Sequence, residues 1–255
     1  MTAFISFTKK EFTESLRTYR LIILAAVFLL LGIMSPLFAK LLPALLGGMD
    51  MGGGMILTMP EPTAMDAWAQ FFKNVGQMGM LALIITFCGI TANELSRGTL
   101  INLLTKGMKR RTVIFSKFLT ASVIWLGCYL LCLGVCYAYT AYFWPGAHLE
   151  NVFLAFFAPW LFGEFLSALQ LFGGVLFGNF YGSLLTSFGV VIAMSVLNII
   201  PAVQKYNPLG LAGGTLDLLS AQKGPGDFMP AMIICAGLAV LLLVGSVSVF
   251  NKKRI

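Results

Sequence analysis

An acid stands inside one of the most apolar stretches of the chain: Glu164, within "VFLAFFAPWLFGEFLSALQLFGGVLFG". An ionised carboxylate at the centre of a bilayer costs about 3 kcal/mol, so the group is protonated, paired, or turned toward a polar cavity. Ser167, Gln170 and Asn198 are the candidate neighbours. Two readings stay open. Glu164, Gln170 and Asn198 either line a transport path or make hydrogen bonds that hold helices together.

The rest of the chemical inventory is thin. His148 is the single histidine, which removes His-based catalytic pairs and multi-His zinc sites. No G-x-x-x-x-G-K-[ST] loop holds a nucleotide and no G-x-S-x-G elbow presents a nucleophile. Met49, Met51, Met55 and Met59 offer thioethers to copper(I), and Cys128, Cys132 and Cys136 form an i, i+4, i+8 thiol stripe. Adaptable apolar surface and helix packing explain both sets better, and no metal site is assigned. Gly174, Gly178 and Gly182 recur every four residues, which predicts close approach of another helix.

A different kind of concentration occurs at "NELSRGTLINLLTKGMKRRTVIFSKFL", residues 93–119. Arg97, Lys106, Lys109, Arg110, Arg111 and Lys117 supply six of the 17 basic side chains of the protein. Lys and Arg beside a membrane anchor topology, and that alone accounts for Arg111 and Lys117. It leaves Glu94 and Arg97 at i, i+3, followed by Gly98 and Thr99, where an ion pair and a close-approach glycine shape a helix start. It also leaves Leu100, Ile101, Leu103 and Leu104, which need a surface over them. Either a partner protein or the body of the same chain provides it.

The elements that must position these groups are membrane helices. The 255 residues are 58% hydrophobic and only 11% charged, far from the soluble norm of roughly a quarter charged. The net charge of +7 sits beside apolar runs and not on a soluble basic face, which excludes nucleic acid as a partner. Six spans of about 20 residues are predicted, at 21–46, 69–92, 113–142, 152–178, 183–200 and 228–250, in one domain over 1–255. Pro36, Lys40 and Pro43 predict a kink or early exit at the outer end of the first span. The loops are short, and the outer connection 201–227 carries "LDLLSA", a short helix on or in the outer leaflet.

Thirteen of the 17 basic residues fall on one side of this arrangement, leaving Lys40, Lys73, Lys205 and Lys223 on the other. The positive-inside rule then puts both termini in the cytoplasm. Before the first span, residues 1–20 place Phe4, Ile5, Thr8, Phe12, Leu16 and Tyr19 on one face of a helix. Lys9, Lys10, Glu14, Arg17 and Arg20 take the other. This predicts an amphipathic helix at the inner lipid interface, with an ordinary cytoplasmic extension as the alternative. The expected fold class is an all-α integral membrane protein of the cell membrane.

Within 93–117, Glu-x-x-x-Gly-Thr (Glu94, Gly98, Thr99), then Leu103 and Leu104, a basic turn at Arg110, and Lys117 in the next helix resemble the permeases of type-2 ATP-binding-cassette exporters. A Pro-containing turn found in many members is replaced here by Gly107, Met108, Lys109 and Arg110. The resemblance implies a cytoplasmic coupling loop at 93–117, with Glu94, Arg97, Gly98, Thr99, Leu103, Leu104, Lys106 and Arg110 serving a separate ATPase. It further implies ATP and Mg bound by that partner with no cofactor in this chain, and a second permease, identical or related. The expected cargo is a hydrophobic or amphipathic peptide, lipid or antibiotic. The rival classes are an intramembrane lipid-modifying enzyme, which lacks a catalytic set, and an ATP-independent secondary transporter, which lacks a visible internal repeat.

Overall fold

The computed structural model describes residues 2–47, 61–96, 98–105 and 107–253. Met49, Met51, Met55, Met59, Arg97, Lys106 and Arg254 lie outside the described residues, as does the side chain of Leu103. Among the described residues every regular element is helical. The chain begins with α1 (Thr2–Arg17), turns at Tyr19 in a left-handed conformation (φ 58°), and enters α2 (Arg20–Gly47).

The second span is segmented into α3 (Ala64–Asn74), a π-helical turn (Val75–Gly79), α4 (Met80–Phe87) and α5 (Gly89–Ser96). The short α6 (Thr99–Thr105) follows, then the long α7 (Arg110–Phe143), α8 (Val152–Phe177) and α9 (Phe180–Leu197). Three single-turn helices, α10 (Pro201–Gln204), α11 (Gly210–Gly213) and α12 (Leu216–Leu219), lead to α13 (Pro225–Lys252). Among the described residues six helices are long and apolar enough to cross a bilayer: Arg20–Pro43, Ala64–Ser96, Arg110–Phe143, Val152–Phe177, Phe180–Leu197 and Pro225–Lys252.

α8 is the central element, packed by α13, α9, α7, α4 and α5. Its sequence shows why: Ala155, Ala158, Gly163, Ala168, Gly173 and Gly174 keep it slim enough to be surrounded. Gly163 lies under the Trp125 indole of α7, where a Cβ would overlap the ring. The same indole donates from Nε1 to the Trp160 carbonyl at 3.0 Å, and the Tyr129 hydroxyl donates to the Phe156 carbonyl at 2.8 Å. Pro159 has no amide to donate to the Ala155 carbonyl, and the two α7 hydrogen bonds fall close by, on the Phe156 and Trp160 carbonyls. Trp68, Phe71, Phe72 and Phe156 fill the end of the bundle near the α7–α8 connection with ring pairs whose centroids lie 5.0–5.8 Å apart. α9, by contrast, turns Tyr181, Leu185, Ile192 and Val196 outward, as a lipid-facing helix does.

α2 runs as helix through Pro36 and Pro43 to Gly47, with Ser35 donating to the Leu31 carbonyl and accepting from Asn74 beside the first proline. Two other expectations change. The glycines at 174, 178 and 182 do not form one stripe, because Gly178 (φ 72°) ends α8 and Gly182 belongs to α9. Only Gly174 admits another helix, α5, while Gly182 leaves room for the Phe177 ring. The "LDLLSA" helix exists as α12, yet Leu218 and Leu219 are buried against the bundle and do not face an outer leaflet.

Candidate functional site

The buried stripe of α1 is Phe7, Glu11 and Ser15, at i, i+4 and i+8. Ile5, Phe12, Leu16 and Tyr19, the apolar face of the wheel, point away from the protein. In a membrane protein the greasy side of such a helix meets lipid, and the side carrying Glu11 meets the bundle. Thr8 and Ser116 share a hydrogen bond, and Ser116 also donates to the Phe4 carbonyl, so α1 lies along the start of α7.

Here Lys117, which the sequence assigns to topology, is fully buried. Its Nζ lies 2.8 Å from Glu11 Oε2 and 2.6 Å from Glu94 Oε2, and donates to the Ile90 carbonyl at 2.9 Å. Lys10 pairs with the other oxygen of each carboxylate and with Glu14 Oε2 at 2.7 Å. Oxygens of Glu11, Glu14 and Glu94 converge within 4.8 Å of one another, and the two ammoniums balance two of the three negative charges. Burial alone would lower the Lys10 pKa, but the carboxylates of Glu14, Glu94 and Glu11 outweigh it and hold the ammonium well above the usual lysine range. This cage joins three elements remote in sequence: α1, the end of α5 and the start of α7.

Immediately beyond Glu94 the chain makes α6, bracketed by Gly98 (φ 68°) and Gly107 (φ 87°). Both glycines occupy the left-handed region that side chains avoid, which lets the chain turn between α5 and α6 and again between α6 and α7. Thr99 donates its hydroxyl to the Glu94 carbonyl at 3.3 Å, tying the first residue of α6 to the cage. Leu100 is fully buried with Phe7, Val113, Ile114, Val175 and Phe250, and Leu104 packs on the same cluster. The body of the chain therefore covers these two leucines. Thr105, Gly107, Lys109 and Arg111 remain exposed around the tip.

Arg110 does not project from that tip. Its guanidinium donates to the carbonyls of Phe250 and, at 2.8 Å, Lys253, closing the end of α13. Lys253 in turn donates from Nζ to the carbonyls of Val175 (2.7 Å) and Leu176 (3.3 Å), closing the end of α8. Cations at helix C-termini answer the unpaired carbonyls and the helix dipole. The loop is thus braced on two sides, by the cage through Glu94 and Lys117 and by a clamp through Arg110 and Lys253.

Of the expected site residues, the structure brings together Glu94, Gly98, Thr99, Leu104 and Arg110 around one short helix. It does not bring together Glu164, Gln170 and Asn198. Glu164 and Gln170 are buried along α8, with the Ser122 hydroxyl donating to Glu164 Oε2. Asn198 caps α9 at the opposite end, accepts from Asn207 at 3.2 Å, and borders a cleft of about 660 Å³ with Lys205, Asp217 and Asp227. Lys10, Glu11, Lys117 and Ser122 escaped the sequence reading as site residues. The stripe of one acid between Phe7 and Ser15 was the available signal for Glu11.

A family profile described as "ABC-2 family transporter protein" matches residues 5–212. An uncharacterized transmembrane protein, YxlG of Bacillus subtilis (strain 168), is 22% identical over 212 residues, covering 82% of this chain and 81% of its own length. The match takes in α1, the cage, α6 and five of the six spans, and the chain belongs to the ABC-2 family of transporter proteins, as a multi-pass membrane component of transport.

Proposed function

We propose that this chain is the permease subunit of an ATP-driven exporter. A separate ATPase carrying ATP and Mg docks on the α6 tip, and two permeases, identical or related, enclose the path of a hydrophobic or amphipathic substrate. In this reading the end bearing α1, α6 and both termini faces the cytoplasm of the cell membrane, in line with thirteen of 17 basic residues being there.

The observation that supports the reading best is the way α6 is mounted. A seven-residue helix is too short to be stable alone, and this one is held between two left-handed glycines by Leu100, the cage and the Arg110 clamp. Such a mount passes force in both directions. Closure of a paired ATPase, pressing on the tip, would move α5 and α7 together and bias the permease between inward and outward arrangements. Glu94 and Arg110 act within this reading as positioning residues, because their charged groups face the bundle. Contact with the ATPase falls to exposed groups such as Lys109 and Arg111.

The test is co-purification with the ATPase and substrate-stimulated hydrolysis at equal permease levels. Lys109→Glu with Arg111→Glu is expected to leave a folded permease that no longer retains the ATPase. Retention at the wild-type level would remove the docking role from the tip.

A further inference from the structure

Gly163, Ser167, Gln170 and Gly174 succeed one another at spacings of four, three and four, which places them on one face of α8. The two ends of that face are fixed by what they touch. A Cβ at Gly163 would meet the Trp125 ring of α7, and a Cβ at Gly174 would come within 3.4 Å of Thr91 and of the Ala92 amide on α5. Ser167 and Gln170 lie between, turned into the junction of α5, α7 and α8, and each is only 1% exposed.

Five buried polar side-chain atoms along this junction are left unmatched by their neighbours, although Ser122 donates to Glu164 Oε2. Ser167 Oγ, both amide atoms of Gln170, Thr91 Oγ1 and Glu164 Oε1 have no hydrogen-bond partner among the described residues. A buried polar group left unpaired costs about 1–3 kcal/mol. Five of them would consume a stability that is about 5–15 kcal/mol for a whole domain. The set contains an amide that must donate and oxygens that must accept. Water, small and able to do both, is the ligand that fits it.

The groups also form a ladder in depth. At about 1.5 Å per residue, Gln170, Ser167 and Glu164 stand roughly 10, 15 and 20 Å from the Phe177 end of α8. Thr91 adjoins Ile90, whose carbonyl accepts from Lys117, so the lower end of the ladder meets the charge cage. The other inward titratable groups on helices packed against α8 are Glu94 on α5, Lys117, Cys128, Tyr129, Cys132 and Cys136 on α7, and Cys235 on α13. Glu94 and Lys117 are consumed by the cage, while Tyr129 and Cys235 donate to the carbonyls of Phe156 and Leu161. None of the described ion pairs involves Glu164.

We propose that the α5–α7–α8 junction binds a file of water molecules running from the charge cage to Glu164, which places this carboxyl in proton exchange with the basic end of the protein. The proposal does not depend on the ATPase reading, since it concerns one chain alone.

The experiment is infrared spectroscopy of the purified protein on transfer to D2O, following S–H to S–D exchange. Ser167→Cys installs a thiol in the junction. The five native cysteines, all buried and outside the ladder, give the reference rate. The Ser167→Cys thiol is expected to exchange about tenfold faster than the reference or more, without the local opening that dry sites require. Adding Gln170→Leu and Thr91→Val is expected to slow it to the reference. Exchange of Ser167→Cys at the reference rate overturns the proposal, as does fast exchange that the two apolar substitutions leave unchanged. If Ser167→Cys does not fold, Thr91→Cys reports on the same file, with fast exchange supporting it and reference-rate exchange overturning it.

Discussion

The two ends of the bundle use the same ion-pair chemistry for different ends. Opposite the basic end, Lys205 meets Asp227 at 3.7 Å and Lys223 meets Asp217 at 2.6 Å, all with substantial solvent exposure. The Lys223 pair lies within one loop, and the Lys205 pair links that loop to α13. At the basic end Lys117 and Glu11 are each at most 3% exposed, and they join helices 106 residues apart. An exposed pair gives up little water and gains little, whereas a buried pair is costly to break because the surviving charge has nowhere to go. Proximity of opposite charges alone therefore says little about importance. What each charge would face without its partner decides it.

Removing Lys117 should have the largest effect. Lys117→Met leaves the buried Glu11 and Glu94 with only the half-exposed Lys10 between them and is expected to cost about 3–5 kcal/mol. The readout is the thermal midpoint in detergent and the yield of folded protein. Adding Glu11→Gln should recover part of the loss, and additive losses would show that the two do not act as a pair. Glu94→Gln keeps the shape and leaves Glu11 to hold Lys117, so a loss of about 1–3 kcal/mol is expected in the same assay. A value as large as that of Lys117→Met would mean that Glu11 contributes little.

Arg110→Ala opens the end of α13 and should cost about 1–2 kcal/mol, with faster amide exchange confined to the last turn of that helix. Lys10 supplies a sign. Its pKa is raised on folding, so its stabilising contribution is complete below the ordinary lysine value of about 10.4 and is lost as pH rises through the folded value. Wild type and Lys10→Met should thus differ by a constant amount across neutral pH and converge only at strongly alkaline pH, read as midpoints against pH. Lys223→Ala, at the exposed end, should change stability by about 0.5 kcal/mol or less. A larger loss there would erase the distinction between the two ends.

Much of this architecture was legible in the sequence. Six apolar runs became six long helices because a bilayer demands segments of that length, and apolar composition alone reports it. Boundaries moved where a local group, not hydropathy, sets them: α9 starts early because Asn179 accepts from the Gly182 amide at 2.6 Å. The motif around Glu94 located the loop, but not the direction in which its charges face. Glu94 and Lys117 look like surface charges beside a membrane, and only the return of α1 across the bundle buries them. Likewise Arg110 reads as one more basic residue until the end of α13, 140 residues later, arrives beside it. Pairings across such separations leave no local pattern.

The cage has a consequence for the order of events while the protein is made. Glu11 is synthesised directly after Lys10, Glu94 follows, and neither acid can pair with Lys117 until the third span begins to be made. Until then α1 lacks its buried ion pair to the bundle, and Glu11 in α1 and Glu94 at the end of the second span lack their shared lysine. Arrival of Lys117 closes the first half of the molecule in one step, since the same ammonium satisfies α1, α5 and α7 together. The Arg110 clamp cannot close until the last span has been made. Assembly is therefore ordered by sequence position, with the mount for α6 half built at the third span and completed at the sixth.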